Sequence, residues 1–340
     1  MEKRLSLRQR LSQASWGWYS ASMATGTIDK IVYIFNLVLF LWISFCMDVR
    51  FCSSPSALKE SIRDPSETHF VATCPLAIAT IILGAWSYGT DACEPRVLAA
   101  LHAVFWVYVA VSLVQAILYN WCLYHRRMAS QQPMAIVRCL PSFPAMLGGT
   151  IAAVLASDQL AGRAVPMIIA GTTPQGFGFV MSLFVYSKYF HRLNKDGLPD
   201  LHDRLEIFIA VGPWSFTALA LIGMAEAAVE KFPAGYIISS ATETAVAVAT
   251  GQIALVLASL VAIFLWMLAL FCLSIALLSM LAPMVFPNTG FVIPTIRIGQ
   301  MLQSEPVLWE ASAITIVQVD TWLGVGLATA WKIVHAFLYQ

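Results

Sequence analysis

Few of the residue types that usually do chemistry stand together in this chain. Its six histidines (His69, His102, His125, His191, His202 and His335) lie mainly at the ends of apolar runs and lack metal-ligand spacing. Seven cysteines (Cys46, Cys52, Cys74, Cys93, Cys122, Cys139 and Cys272) show no CxxC spacing and read as small apolar fillers. Neither a nucleophile–base pairing nor a phosphate loop can be found, so the sequence points to no metal, no cofactor and no enzyme. What remains is a set of polar groups embedded in apolar sequence, and they suit recognition of an anion. Arg297, within the run "IRIG" (296–299), would raise the local anion concentration at a pore mouth; the alternative is a cation snorkelling to the membrane interface. Ser20, Ser22, Thr25 and Thr27 offer hydroxyl donors around Gly26, or else a seam for close helix packing. Lys30 beside Asp29 is a second basic candidate, more simply read as a turn residue. Among acids near apolar runs (Glu206, Glu226, Glu230, Glu243, Glu310 and Asp320), Asp320 is costliest if charged. It would serve proton coupling or bond a neighbouring helix.

The elements that must position these groups follow from composition. Of 340 residues 59% are hydrophobic and 11% charged, with net charge +1 and mean hydropathy +0.74. A soluble surface needs about a quarter charged residues, so this is an all-α, polytopic membrane protein, and nothing in its charge suggests a nucleic-acid partner. Apolar segments at 16–29, 31–48, 69–89, 98–122, 136–156, 164–190, 205–229, 246–281, 284–300 and 308–337 make about ten transmembrane helices. The chain then divides into a basic N-terminus (1–15) and one transmembrane domain (16–337). Residues 16–48 form one run broken only by Asp29 and Lys30, short for two crossings, so a shortened first span is expected. With the N-terminus in the cytosol, fifteen Lys and Arg fall on the cytosolic side and three (Arg96, Arg163 and Lys231) on the other. By the positive-inside rule both termini are cytosolic.

Helix breakers are unevenly spread. The third span holds Pro75, the fifth Pro141, Pro144, Gly148 and Gly149, the seventh Gly212 and Pro213, and the ninth Pro283, Pro287, Gly290 and Pro294. The second and fourth hold neither residue between their ends, and the eighth holds only Gly251, near its start. A broken helix in lipid leaves backbone groups unpaired unless protein or a watery cavity satisfies them. The odd spans are therefore placed around an interior path, although the sixth, with Pro166, Gly171, Pro174, Gly176 and Gly178, departs from this alternation. Proline and glycine are also simply common in membrane helices.

The segments "WGWYSASMATGTI" (16–28), "YIFNLVLFL" (33–41), "DPSETHF" (64–70), "FPAMLGGTIA" (143–152), "PQGFGFVMSLFVYSKYFHRLNKDGLP" (174–199), "VGPWSFTALALIGM" (211–224) and "VFPNTGF" (285–291) carry a resemblance. Together and in this order they resemble the tellurite-resistance/dicarboxylate transporter family of malate permeases, sulfite efflux pumps and slow anion channels. The resemblance implies ten helices in five pseudo-symmetric hairpins, odd helices around a central pore, and a homotrimer in the plasma membrane. It implies a small anionic substrate, a C4-dicarboxylate such as malate, with sulfite or another organic acid as alternatives. It also implies a gate at Phe286, loosened by Pro287, with pore-lining positions at Ser22, Thr25, Gly26, Pro75, Pro144, Gly148, Gly212, Pro213, Asn288 and Gly290. Two segments are shorter than the family pattern, between Ile28 and Tyr33 and between Met280 and Val285, and both adjoin pore-lining helices.

Overall fold

The computed structural model describes residues 15–19, 22, 30–54, 56–125, 135–200, 203–233, 244–279, 293–295 and 297–298. Every regular element among them is helical, as lipid demands of a chain whose backbone finds no water to pair with. Seven stretches are long and apolar enough to cross a bilayer: Tyr33–Ser53, His69–Gly89, Arg96–His125, Ile136–Leu155, Ala161–Asp196, Glu206–Lys231 and Gly251–Ala276. They coincide with the second to eighth apolar runs of the sequence. The tenth run, most of the first and most of the ninth lie outside the described residues.

Helix α1 (Lys30–Ser53) has 24 residues, about 36 Å at 1.5 Å per residue and enough to cross a bilayer. Two short helices follow, α2 (Ala57–Arg63) and α3 (Pro65–Thr68). Arg50 holds them to α1 through a 3.2 Å ion pair with Glu67. The Ser61 hydroxyl donates to Glu67 at 2.6 Å and accepts from the Trp16 indole at 2.7 Å, which ties residue 16 to the same corner.

Helical residues then run unbroken through the 53 residues of α4 (Thr73–His125), which as a straight rod would measure about 80 Å. The chain instead doubles back. A Cβ placed on Gly89 would lie 3.7 Å from the Val97 Cγ1, whereas positions eight apart on a straight helix stand about 12 Å apart. At the opposite end the His69 imidazole Nδ1 and the Tyr119 hydroxyl are 2.7 Å apart. The two arms form an antiparallel hairpin, and its turn stays helical where the sequence suggested an interruption.

Helices α5 (Phe143–Leu155) and α6 (Ala161–Asp196) make the next hairpin, and glycines set its closeness. A Cβ on Gly178 would come within 2.8 Å of the Ser142 carbonyl oxygen, one on Gly149 within 2.6 Å of the Gln175 Cβ, and one on Gly171 would collide with Ala152. The glycines that set the sixth span apart in the sequence therefore include a packing seam, which in a membrane is what brings helices together. Gly176, by contrast, is exposed with open space at its Cβ position. Gly171→Ala is expected to destabilise the protein by about 1–3 kcal/mol through overpacking. The same change at Gly176 should be neutral or stabilising by up to about 1 kcal/mol through helix propensity. Thermal unfolding in detergent separates the two signs. Helix α6 ends at Gly197, whose φ of 77° lies in the region glycine tolerates and whose N–H closes onto the Leu193 carbonyl at 3.0 Å.

Helix α7 (Gly212–Lys231) runs parallel to α5: Gly212 meets Phe143 near their starts and Gly223 meets Ala153 near their ends. Helix α8 (Thr244–Ser279) returns antiparallel, with Gly251 against Val229 and the Ser279 carbonyl accepting from Arg204 at 3.4 Å. Burial then sorts the spans. The most hydrophobic windows of the third, fifth and seventh are 44%, 100% and 83% buried, against 22–33% for the second, fourth, sixth and eighth. Among these seven described spans, the odd sit inside and the even outside. The even spans present large apolar side chains outward, among them Leu41, Val107, Phe184 and Phe264, as a lipid-facing surface requires.

Each inner span opens in the same way. A 3-10 segment (His69–Ala72, Ile136–Ser142, Asp203–Val211) leads into an α-helix whose first turn carries Pro75, Pro144 or Pro213. Proline is tolerated there because first-turn N–H groups have no intrahelical partner. These prolines recur at an interval of 69 residues (75 to 144, 144 to 213), an internal repeat that the breaker pattern held but that went unread. Pro287 comes next, 74 residues on.

Candidate functional site

The three 3-10 segments touch one another in sequence order and define the proline end of the inner bundle. Its charged groups are closely held. Arg138, in the second segment, is only 8% exposed, and its field reaches His69 and Tyr119. Glu206, in the third segment, acts on Cys139 and Tyr189. In the sequence Arg138 is one of the fifteen Lys and Arg on the cytosolic side. Its burial was not legible there, since it depends on three segments distant in the chain.

At the far end the inner spans enclose a cavity of about 230 Å³, far larger than the roughly 15 Å³ that one water needs. Trp86 from the first arm of α4, Val154 from α5, Ser157 just beyond it, Leu219 and Glu226 from α7, and Arg297 line it. The Trp86 indole donates to the Asp158 carboxylate at 2.6 Å, and Glu230, also on the wall, accepts from Lys231 at 2.9 Å. Arg297 is exposed and so meets solvent and the cavity together. The glutamates opposite give the mouth mixed charge, which the sequence could not show because Glu226 and Arg297 are 71 residues apart.

Between these ends α5 and α7 lie against each other. Gln175 from α6 is buried behind them, its amide donating to the Thr217 hydroxyl at 2.9 Å. The Tyr108 hydroxyl donates to the Pro144 carbonyl at 2.8 Å, a second donor to an acceptor in the first turn of α5.

The positions singled out in the sequence are distributed as follows. Pro144, Gly212 and Pro213 are buried at the proline end, with Pro75 half-buried beside them. Ser22 is fully buried. Gly148 faces Pro174 and Val109, between α6 and the second arm of α4, and is not on the cavity wall. Arg297 is on that wall. Thr25, Gly26, Phe286, Pro287, Asn288 and Gly290 lie outside the described residues.

Similarity to known proteins identifies the kind of membrane protein this bundle is. The family described as voltage-dependent anion channel matches residues 13–330. The chain belongs to this family. It is a membrane anion transporter and not an enzyme. A malic acid transport protein of Schizosaccharomyces pombe is 31% identical, the match covering 98% of this chain and 80% of the relative. A second protein of that yeast, a putative malic acid transport protein, is 27% identical over 94% of this chain and 80% of its own length. A sulfite efflux pump of Arthroderma otae is 20% identical over 94% of this chain and 88% of its own. No solved structure matches the chain. The first alignment runs over 366 positions against 340 residues here, so at least 26 positions (366 − 340) have no counterpart in this member of the family.

Proposed function

We propose that the protein moves a C4-dicarboxylate of the malate type across the plasma membrane, through a path between its odd-numbered spans. The observation that carries this reading is the 31% identity to a malic acid transport protein across 98% of the chain. The identity to a sulfite efflux pump over a similar share is 20%, which makes sulfite export the second reading. The odd-in, even-out burial supports five hairpins around a central pore, the remaining helices coming from the first, ninth and tenth apolar runs. Phe286 before Pro287 is the gate, by family resemblance. The charge asymmetry of the loops puts both termini in the cytosol, which turns the proline end inward and the Arg297 cavity outward. A homotrimer with one path per protomer follows from the same resemblance.

The test is anion flux into and out of liposomes holding the purified protein, with malate and sulfite compared. Malate flux well above sulfite flux supports the reading; sulfite preference replaces it with the second. In the same assay Arg297→Glu is expected to slow malate uptake several-fold at low ionic strength. The difference should fade towards 1 M salt, where the Debye length is about 3 Å.

A further inference from the structure

Two hydroxyls on the inner faces of the bundle have no hydrogen-bond partner. Thr150 on α5 is 2% exposed and Ser215 on α7 is 1% exposed, and both Oγ atoms are unpaired. Other hydroxyls in the spans behave differently. Thr80 donates back to the Ala77 carbonyl at 2.8 Å, Ser112 to Val109 at 3.1 Å, Thr172 to Ile168 at 2.8 Å, Ser182 to Gly178 at 2.8 Å and Ser259 to Leu255 at 2.7 Å. That bond is open to a helical Ser or Thr by a choice of rotamer. Two deeply buried residues that forgo it have their oxygens directed elsewhere.

Their place says where. Residues four apart share a helix face. Thr150 stands one turn before Val154 and Ser215 one turn before Leu219, both on the cavity wall. The two hydroxyls therefore lie on the faces that line the cavity, each one turn before a wall residue of its own helix. In the register set by Phe143–Gly212 and Ala153–Gly223, Ser215 stands about one turn deeper than Thr150. Below them Phe143 meets Gly212. Neither α5 nor the stretch Gly212–Met224 contains a charged residue, so no fixed cation of these two helices meets an anion at this depth.

We propose that Thr150 and Ser215 form a hydroxyl site that takes the oxygens of a carboxylate or other oxyanion as it leaves the outer cavity and sheds water. The inference rests on the transport reading above. Hydroxyl donors bind an ionised acceptor more strongly than a neutral one, yet carry no net charge. They replace hydration without holding the ion as a buried arginine would, which is what conduction requires.

The experiment compares malate with thiocyanate, a weakly hydrogen-bonding anion, in liposomes carrying the full-length protein. The double variant Thr150→Val/Ser215→Ala keeps shape and removes both donors. Its malate flux is expected to fall by roughly tenfold or more, as loss of charge-assisted hydrogen bonds implies, while thiocyanate flux stays within about twofold of wild type. Thr150→Ser should transport malate like wild type, and so should Ser182→Ala, whose hydroxyl is spent on Gly178. The melting temperature of the double variant should not fall, because an unpaired hydroxyl adds nothing to the fold. A lower melting temperature, unchanged malate flux, or equal loss for both anions overturns the hydroxyl site and leaves the transport reading standing. A wild type that carries neither malate nor sulfite overturns the transport reading, and this site with it.

Discussion

Phe143→Ala is expected to cost about 3–5 kcal/mol of stability, and to lower the yield of folded protein without raising anion flux. Phe143 is 1% exposed at the start of α5, and its Cε2 would lie 2.9 Å from a Cβ on Gly212. The ring fills the crossing of α5 and α7, where glycine on one helix makes room for phenylalanine on the other. Lipid tails are as apolar as the ring, so water exclusion does little to hold these helices together and contact does most of it. Alanine leaves a cavity that two backbones pinned by neighbouring helices cannot close. Melting temperature and size-exclusion profile in detergent check the result, with Phe143→Leu as the milder case at roughly 1 kcal/mol.

The sorting of spans was legible because it leaves a composition trace: Pro75, Pro144 and Pro213 mark spans whose backbone leaves the regular helix. The same trace was ambiguous at the sixth span, which departs from the alternation in sequence yet is buried like the other even spans. Glycine serves close packing as readily as a watery path, and Gly171 and Gly178 are used for packing against α5. Only the partner tells the two uses apart, and the partner is a tertiary fact. Gly148 shows this from the other side: a pore position by family pattern, it packs against Pro174 and Val109. Arg297 was legible as a cation at a membrane face, but its company with Glu226 was not. Thr150 sat in plain view within "FPAMLGGTIA"; that its hydroxyl goes unbonded depends on a rotamer that no spacing encodes. The 69-residue interval of the prolines was available to anyone aligning the chain with itself.

That interval bears on the other large effect. Phe286→Ala is expected to raise anion flux tenfold or more, since each 1.4 kcal/mol or so taken off the barrier is a factor of ten, and to leave stability nearly unchanged. By the proline series, Phe286–Pro287 is the ninth-span counterpart of Phe143–Pro144, an identical dipeptide to which the proposed function gives a second job. On α5 the ring is committed, because Gly212 of the next inner span receives it. A gating ring must instead have no such receptor, and it closes the path by standing in it. The two alanine variants therefore move different observables: melting temperature for Phe143, flux for Phe286, read as malate efflux from liposomes in parallel with thermal unfolding. If Phe286→Ala lowers the melting temperature as Phe143→Ala does and flux does not rise, the ninth-span ring is packed like its counterpart, and the barrier to anions must be sought one level out, at Thr150 and Ser215.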